Sequence, residues 1–172
     1  DAAAPPPPVP EDQRAPRVLD ADTDYLITSM MHEVVTHGTA AAARSLGRDD
    51  LAGKTGTTND FTDAWFNGFS PAQLAIAWIG FDQPNTLGRG EVGAKAALPV
   101  WMDYMKTALK GVPQQILPRP SGVVQVPINP DNGKLVTADF PGAILEVVQA
   151  DHIPPQDDGK SVQDQAPEGA IY

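Results

Sequence analysis

The sequence predicts an α+β fold: an antiparallel sheet covered by helices, with a small β element appended near the C-terminus. Two observations carry this. Three strand-like runs, Leu51–Thr57, Ala64–Phe69 and Leu74–Phe81, follow one another closely, and Ser70-Pro71 marks a tight turn between the last two. Helical spacing of apolar residues stands on both sides, at Tyr25, Leu26, Met30, Met31, Val34 and Val35 before the strands and at Val100, Trp101, Tyr104, Met105, Ala108 and Leu109 after them. Helices placed before and after a meander can cover its faces.

The elements follow in order. Residues 1–16 are Ala/Pro-rich around Pro5-Pro6-Pro7-Pro8, a composition that favours extended, solvated backbone. A linker or surface insertion is preferred there to a polyproline ligand. Asp22 is the expected N-cap of the first helix and Gly38 its stop. A short helical or turn segment, Ala40 to Leu46, closes at Gly47. The second helix is expected to start near Pro99, where proline tolerates a first helical turn, and to stop at Gly111. Val123–Ile128 and Lys134–Thr137 flank Pro130-Asp131-Asn132-Gly133, a sequence suited to a hairpin turn. After Asp151 the chain is acidic and rich in Pro and Gln, and is expected to be disordered. The predicted division is therefore 1–16 linker, 17–111 main unit, 112–150 appended β region and 151–172 tail. There are no internal repeats.

The net charge of −10 in 172 residues is unevenly spread. Residues 1–24 carry six acids against two bases, and residues 131–172 carry eight against two. Residues 25–130 carry eight of each, so the acidity belongs to the flanks. No basic patch offsets phosphate charge, which argues against nucleic acid as a partner. The chain has no cysteine, so a disulfide scaffold and a cysteine-ligated metal are excluded. No apolar run approaches the length of a membrane span. No signal peptide is present in these residues.

The richest chemistry lies at Lys54-Thr55-Gly56-Thr57-Thr58. As an extended edge strand, this run could send Lys54 into a cleft lined by the hydroxyls of Thr55 and Thr57. Gly56 removes bulk that would keep another backbone from lying alongside, so a peptide could pair with the edge by strand addition. The simpler alternative is an ordinary exposed strand with a solvated lysine.

Other patterns carry less. Gly47 to Thr55 nearly spells a phosphate loop, but five residues separate its glycines where four are needed, and Asp49 and Asp50 would face the phosphates. Gly88-Arg89-Gly90-Glu91-Val92-Gly93 lacks the context and spacing of a dinucleotide fingerprint. His32 and His37 stand five apart, about 140° around a helix, and so cannot share one metal. His152 is alone in a Pro-rich tail. Trp65, Trp78 and Trp101 are expected to pack between sheet and helix rather than to form a sugar or cofactor platform. Asp60, Asp63 and Asp82 are read as loop caps and turn residues rather than an acid pair or metal site.

Taken together, Val35-Thr36-His37-Gly38-Thr39-Ala40, Gly53 through Asp60, Asp63-Ala64-Trp65-Phe66, Trp78-Ile79-Gly80-Phe81-Asp82 and Ala97-Leu98-Pro99-Val100-Trp101 resemble the C-terminal half of the transpeptidase domain of class A (bifunctional) penicillin-binding proteins. The stretch from Gly111-Val112-Pro113 to Pro120-Ser121-Gly122-Val123-Val124 resembles the 1A branch of that family in Gram-negative bacteria. The resemblance covers roughly Arg17 to Leu135.

The resemblance implies the partial penicillin-binding protein/serine β-lactamase-like fold for residues 17–111. It assigns catalytic roles to Lys54, acting electrostatically beside a serine, and to Thr57, whose N–H would be half of an oxyanion hole. Thr55, Gly56, Thr57 and Thr58 would bind substrate, with the Thr55 and Thr57 hydroxyls on a carboxylate. The implied partners are a peptidoglycan stem peptide and β-lactams, with no cofactor and no metal. The implied location is the bacterial periplasm, tethered to the inner membrane through an N-terminal anchor absent from these residues, as is the glycosyltransferase domain.

One departure is serious. The family needs Ser-x-x-Lys for its nucleophile and Ser-x-Asn for its proton relay, yet none of Ser29, Ser45, Ser70, Ser121 and Ser161 is followed by Lys at three or Asn at two. The remainder of the same polypeptide is therefore an expected partner, supplying both motifs, and the chain by itself is expected to be inactive. The alternatives are a non-catalytic interaction module using the Pro-rich and acidic flanks, and a β-lactamase fragment. The residues after Gly111 count against the latter.

Overall fold

The computed structural model describes residue 10 and residues 16–159. The Pro-rich run at 5–8 and the end of the acidic tail, 160–172, lie outside the described residues.

Helix α1, Ala21–Thr36, begins at Asp20, two residues before the expected cap. The Asp20 carboxylate accepts from the Thr23 backbone N–H and hydroxyl, both at 2.8 Å. Those bonds, the N–H foremost, hold the Asp20 carboxyl below its usual range. Asp22 instead stands in the first turn, where an added Cβ on Gly122 would run into its carboxylate. The helix ends at His37, whose N–H and that of Gly38 both reach the Glu33 carbonyl. A 3-10 turn, Ala41–Leu46, follows and closes at Gly47 in the left-handed region (φ 66°) that glycine adopts without strain.

Strands β1 (Ala52–Thr57), β2 (Ala64–Ser70) and β3 (Gln73–Ile79) form an antiparallel meander in the order β1-β2-β3. Lys54 stands opposite Asn67, Gly56 opposite Trp65 and Trp65 opposite Trp78. Alternation then decides burial. Ala64, Phe66 and Gly68 face the core, while Trp65 and Asn67 face outward.

Helix α2, Gly93–Ala108, covers the inner face. It starts six residues before the expected Pro99, which is its seventh residue. An interior proline removes one helical hydrogen bond. The helix tolerates this because Ala97, Leu98, Trp101 and Met105 are all essentially buried. Trp101 meets Phe66 edge-on, with ring centroids 4.9 Å apart, and donates its Nε1–H to the Gly68 carbonyl at 3.2 Å. Gly68 is required here, since a Cβ would stand within 2.7 Å of both rings.

The expectation that all three tryptophans pack between sheet and helix holds only for Trp101. Trp65 and Trp78 lie on the outer face, 36% and 44% exposed, with centroids 5.8 Å apart. The period-2 pattern explains this, because Trp65 adjoins core-facing Ala64 and Phe66 and so points the other way.

The appended region also departs from expectation. Val123–Ile128 (β4) pairs not with Lys134–Thr137 but with Ile144–Gln149 (β5), in register from Val123 opposite Gln149 to Ile128 opposite Ile144. The 130–133 turn does form, with the Gly133 N–H donating to the Asn129 carbonyl and the Asn129 N–H to the Lys134 carbonyl, but among the described residues the returning chain meets β4 at a single bridge, Ile128 to Leu135. Residues 151–159 then run back alongside it. Leu135 exchanges bonds with Pro155 and Asp157, and the Asp157 carboxylate takes the side-chain amides of Asn129 and Asn132.

A largely buried ion pair ties this end of the chain to the sheet unit. Arg48 holds Asp50 in a two-pronged contact (2.9 and 2.7 Å) and donates to the Val112 carbonyl at 2.8 Å. The two side chains are 11% and 1% exposed. Burial pushes the Asp50 carboxyl up, but the Arg48 guanidinium and the Gln115 N–H outweigh it and hold it low.

Candidate functional site

Strand β1 lies at the edge of the sheet, and among the described residues no further strand pairs with it. The Thr58 N–H turns inward to the Asp63 carbonyl at 3.1 Å, continuing the β1–β2 ladder by one pair. In an antiparallel ladder inward and outward pairs alternate, so the peptide groups of Thr55 and Thr57 face the open edge. Lys54 agrees with this direction, since its Nζ donates to the Thr55 carbonyl at 3.1 Å.

The side chains divide differently from the sequence expectation. Alternation places Thr55 and Thr57 on the face that carries Phe66 and α2, and Lys54 on the opposite face with Asn67. Lys54 therefore does not rise beside the threonines. It is exposed, and its ammonium bends around the edge to the Thr55 carbonyl. The Thr55 hydroxyl meets the Thr39 hydroxyl at 2.9 Å. The Thr57 hydroxyl accepts from the Gly93 N–H at 3.0 Å, the first N–H of α2.

Gly56 and Trp65 send their substituents outward and leave bare backbone on the inner face. Gly93 fits directly against it: a Cβ there would lie 2.3 Å from the Trp65 carbonyl oxygen and 2.6 Å from that of Gly56. On the outer face, a Cβ on Gly56 would press on Trp65, 3.2 Å from its Cβ. Thr58 closes the turn rather than facing the edge. Its hydroxyl lies 2.7 Å from that of Thr62 and accepts from the Asp63 N–H at 2.8 Å.

Asp63 is the hub of this turn. The Trp78 indole N–H at 2.9 Å, then the Thr62 and Thr58 hydroxyls, hold its carboxyl below the usual range. The turn also carries two non-glycine residues in the left-handed region, Asp60 (φ 59°) and Phe61 (φ 54°). Among the described residues no cluster of His, Cys, Asp or Glu could hold a metal ion. His32 faces the Leu51 carbonyl at 2.9 Å and His37 pairs with Glu33. Among the described residues no helix is long and apolar enough to cross a membrane.

Two partners of the strand were not legible in the sequence. Thr39 and Gly93 reach it from 16 and 36 residues away, and each comes from a segment read for other reasons.

The meander with a helix on one face, and an edge strand carrying Lys, Thr and Gly, make an α+β unit that is similar to part of the penicillin-binding protein class. A solved structure of penicillin-binding protein 1A from Haemophilus influenzae matches it with a TM-score of 0.76 and 35% identity, covering 83% of this chain and 22% of that one. Within the class the similarity is to the 1A type. Penicillin-binding protein 1A of Pseudomonas aeruginosa is 45% identical over 141 residues, 82% of this chain, and that of Neisseria lactamica 50% identical over 112 residues, 65% of this chain. The chain spans 17% and 14% of the length of those two relatives. No protein-family model matches it.

Proposed function

We propose that this chain forms the substrate-holding wall of a peptidoglycan D,D-transpeptidase. The observation that carries the reading is the β1 edge, paired with no further strand among the described residues, where the Thr57 N–H, the Thr55 carbonyl and the Lys54 ammonium all face the side on which an extended peptide could add. A D-Ala-D-Ala stem peptide would lie along that edge, with its terminal carboxylate on the Thr55 and Thr57 hydroxyls.

The remaining parts belong to the rest of the polypeptide. A serine from a Ser-x-x-Lys motif would attack the penultimate D-Ala carbonyl. The Thr57 N–H would stabilise the oxyanion, and Lys54 would supply positive charge beside the serine of a Ser-x-Asn relay. Collapse breaks the peptide C–N bond, protonates the leaving D-Ala amine and leaves an acyl-enzyme. An acceptor amine then attacks the ester and frees the serine. β-Lactams would acylate the same serine, their carboxylate replacing that of the donor. The parent would add a glycosyltransferase domain and a membrane anchor, and would act in the periplasm.

The test is penicillin acylation of the longer polypeptide that carries this segment together with the two serine motifs. Lys54→Ala should slow acylation by about 100-fold or more, in line with loss of one preorganised electrostatic partner. A folded Lys54→Ala protein acylated at the original rate would remove Lys54 from the site.

A further inference from the structure

We infer that Thr39 is a positioning residue for the Thr55 hydroxyl, donating to it so that the Thr55 proton stays free for an anionic carboxylate. The inference rests on the proposed reading of Thr55 as a carboxylate grip, and extends it to a residue outside the strand.

Thr39 is exposed, but its backbone is pinned on both sides. The His37 and Gly38 N–H groups converge on the Glu33 carbonyl at 2.8 and 2.9 Å, and the Ala40 N–H reaches the Val34 carbonyl at 3.0 Å. Val35 and Ala40 are buried, and Gly38 packs so closely that a Cβ would stand 2.8 Å from the Val34 Cα. From this fixed turn Thr39 Oγ1 lies 2.9 Å from Thr55 Oγ1. Among the described residues neither hydroxyl has another hydrogen-bond partner.

Proton counting gives the pair its meaning. Each hydroxyl has one proton and two lone pairs. If Thr55 donates to Thr39, its oxygen shows an arriving carboxylate only lone pairs, which repel it. If Thr39 donates to Thr55, the Thr55 proton is free and the chain Thr39 O–H to Thr55 O–H to carboxylate is polarised in one direction. The second strand threonine follows the same plan with no ambiguity. The Gly93 N–H can only donate, so the Thr57 hydroxyl accepts from it at 3.0 Å and keeps its own proton free. Both hydroxyls thus have a donor behind them, one from the turn after α1 and one from the start of α2.

The test uses the longer polypeptide, with benzylpenicillin and its methyl ester as probes and acylation resolved into a binding constant and a first-order step. Thr39→Val should weaken benzylpenicillin binding about fivefold, the worth of one neutral hydrogen bond, and leave the first-order step unchanged. Thr39→Ser should restore binding. The ester, which has no carboxylate, should not distinguish Thr39→Val from the natural protein. Normal binding by Thr39→Val while Thr55→Val binds weakly would overturn the inference and leave the role of Thr55 intact. An equal loss for acid and ester, or failure of Thr39→Ser to restore binding, would mark Thr39 as merely structural and overturn it too. If Thr55→Val itself binds benzylpenicillin normally, the underlying reading of Thr55 fails and the inference with it.

Discussion

Replacing Gly93 by alanine should damage the fold and the candidate site together. The added Cβ would lie 2.3 Å from the Trp65 carbonyl oxygen and 2.6 Å from the Gly56 carbonyl oxygen, about an ångström short of ordinary contact in the first case. Both neighbours are backbone inside a paired ladder, so neither can rotate away. The start of α2 must move instead, stretching the 3.0 Å bond from the Gly93 N–H to the Thr57 hydroxyl. Overpacking costs about 1–3 kcal/mol, and loss of the bond adds about 1 kcal/mol. For a chain of this size, a total of about 2–4 kcal/mol lowers the melting temperature by roughly 5–12 °C. Thermal unfolding followed by circular dichroism would measure it. A melting temperature within a degree of the natural chain's would refute the claim that α2 is seated by contact of Gly93 with the β1–β2 backbone.

Three further outcomes follow from the geometry. Asp50→Asn should destabilise the chain by about 3 kcal/mol at neutral pH, because it leaves the largely buried Arg48 without its anion. The Asp50 carboxyl is depressed in the folded state, so the stability it contributes is present above the ordinary carboxylate range and is lost as pH falls through the depressed value. The gap between the natural chain and the Asp50→Asn variant in urea titrations should therefore narrow below about pH 4. Trp78→Phe removes the indole N–H that reaches Asp63 at 2.9 Å, and should raise the Asp63 carboxyl toward its ordinary value, an upward shift that NMR titration of the carboxyl would detect.

How far these features could be read from the sequence depended on their range. The meander was legible because each strand pairs with its neighbour and its alternation is local: Ala64, Phe66 and Gly68 inward, Trp65 and Asn67 outward. That same alternation, applied strictly, would also have placed Trp65 outside and Lys54 on the face opposite Thr55. The start of α2 was missed because proline usually marks a helix beginning, whereas here the contact of Gly93 with bare backbone decides it. The partner of β4 was missed because a good turn at 130–133 suggested the nearer strand, while the longer ladder lay with residues 144–149. Of the candidate site, the strand and its edge position were readable. Thr39 and Gly93 were not, since their hydrogen bonds to Thr55 and Thr57 exist only once the chain has folded.

These residues are proposed to form one wall of a serine acyl-transfer site whose nucleophile lies elsewhere in the longer polypeptide. Intact-mass measurement after incubation with benzylpenicillin tests this most directly. The 172-residue chain should show no covalent adduct, and the longer polypeptide bearing Ser-x-x-Lys should gain one penicilloyl group on that serine. A stable penicilloyl adduct on the 172-residue chain alone would contradict the account.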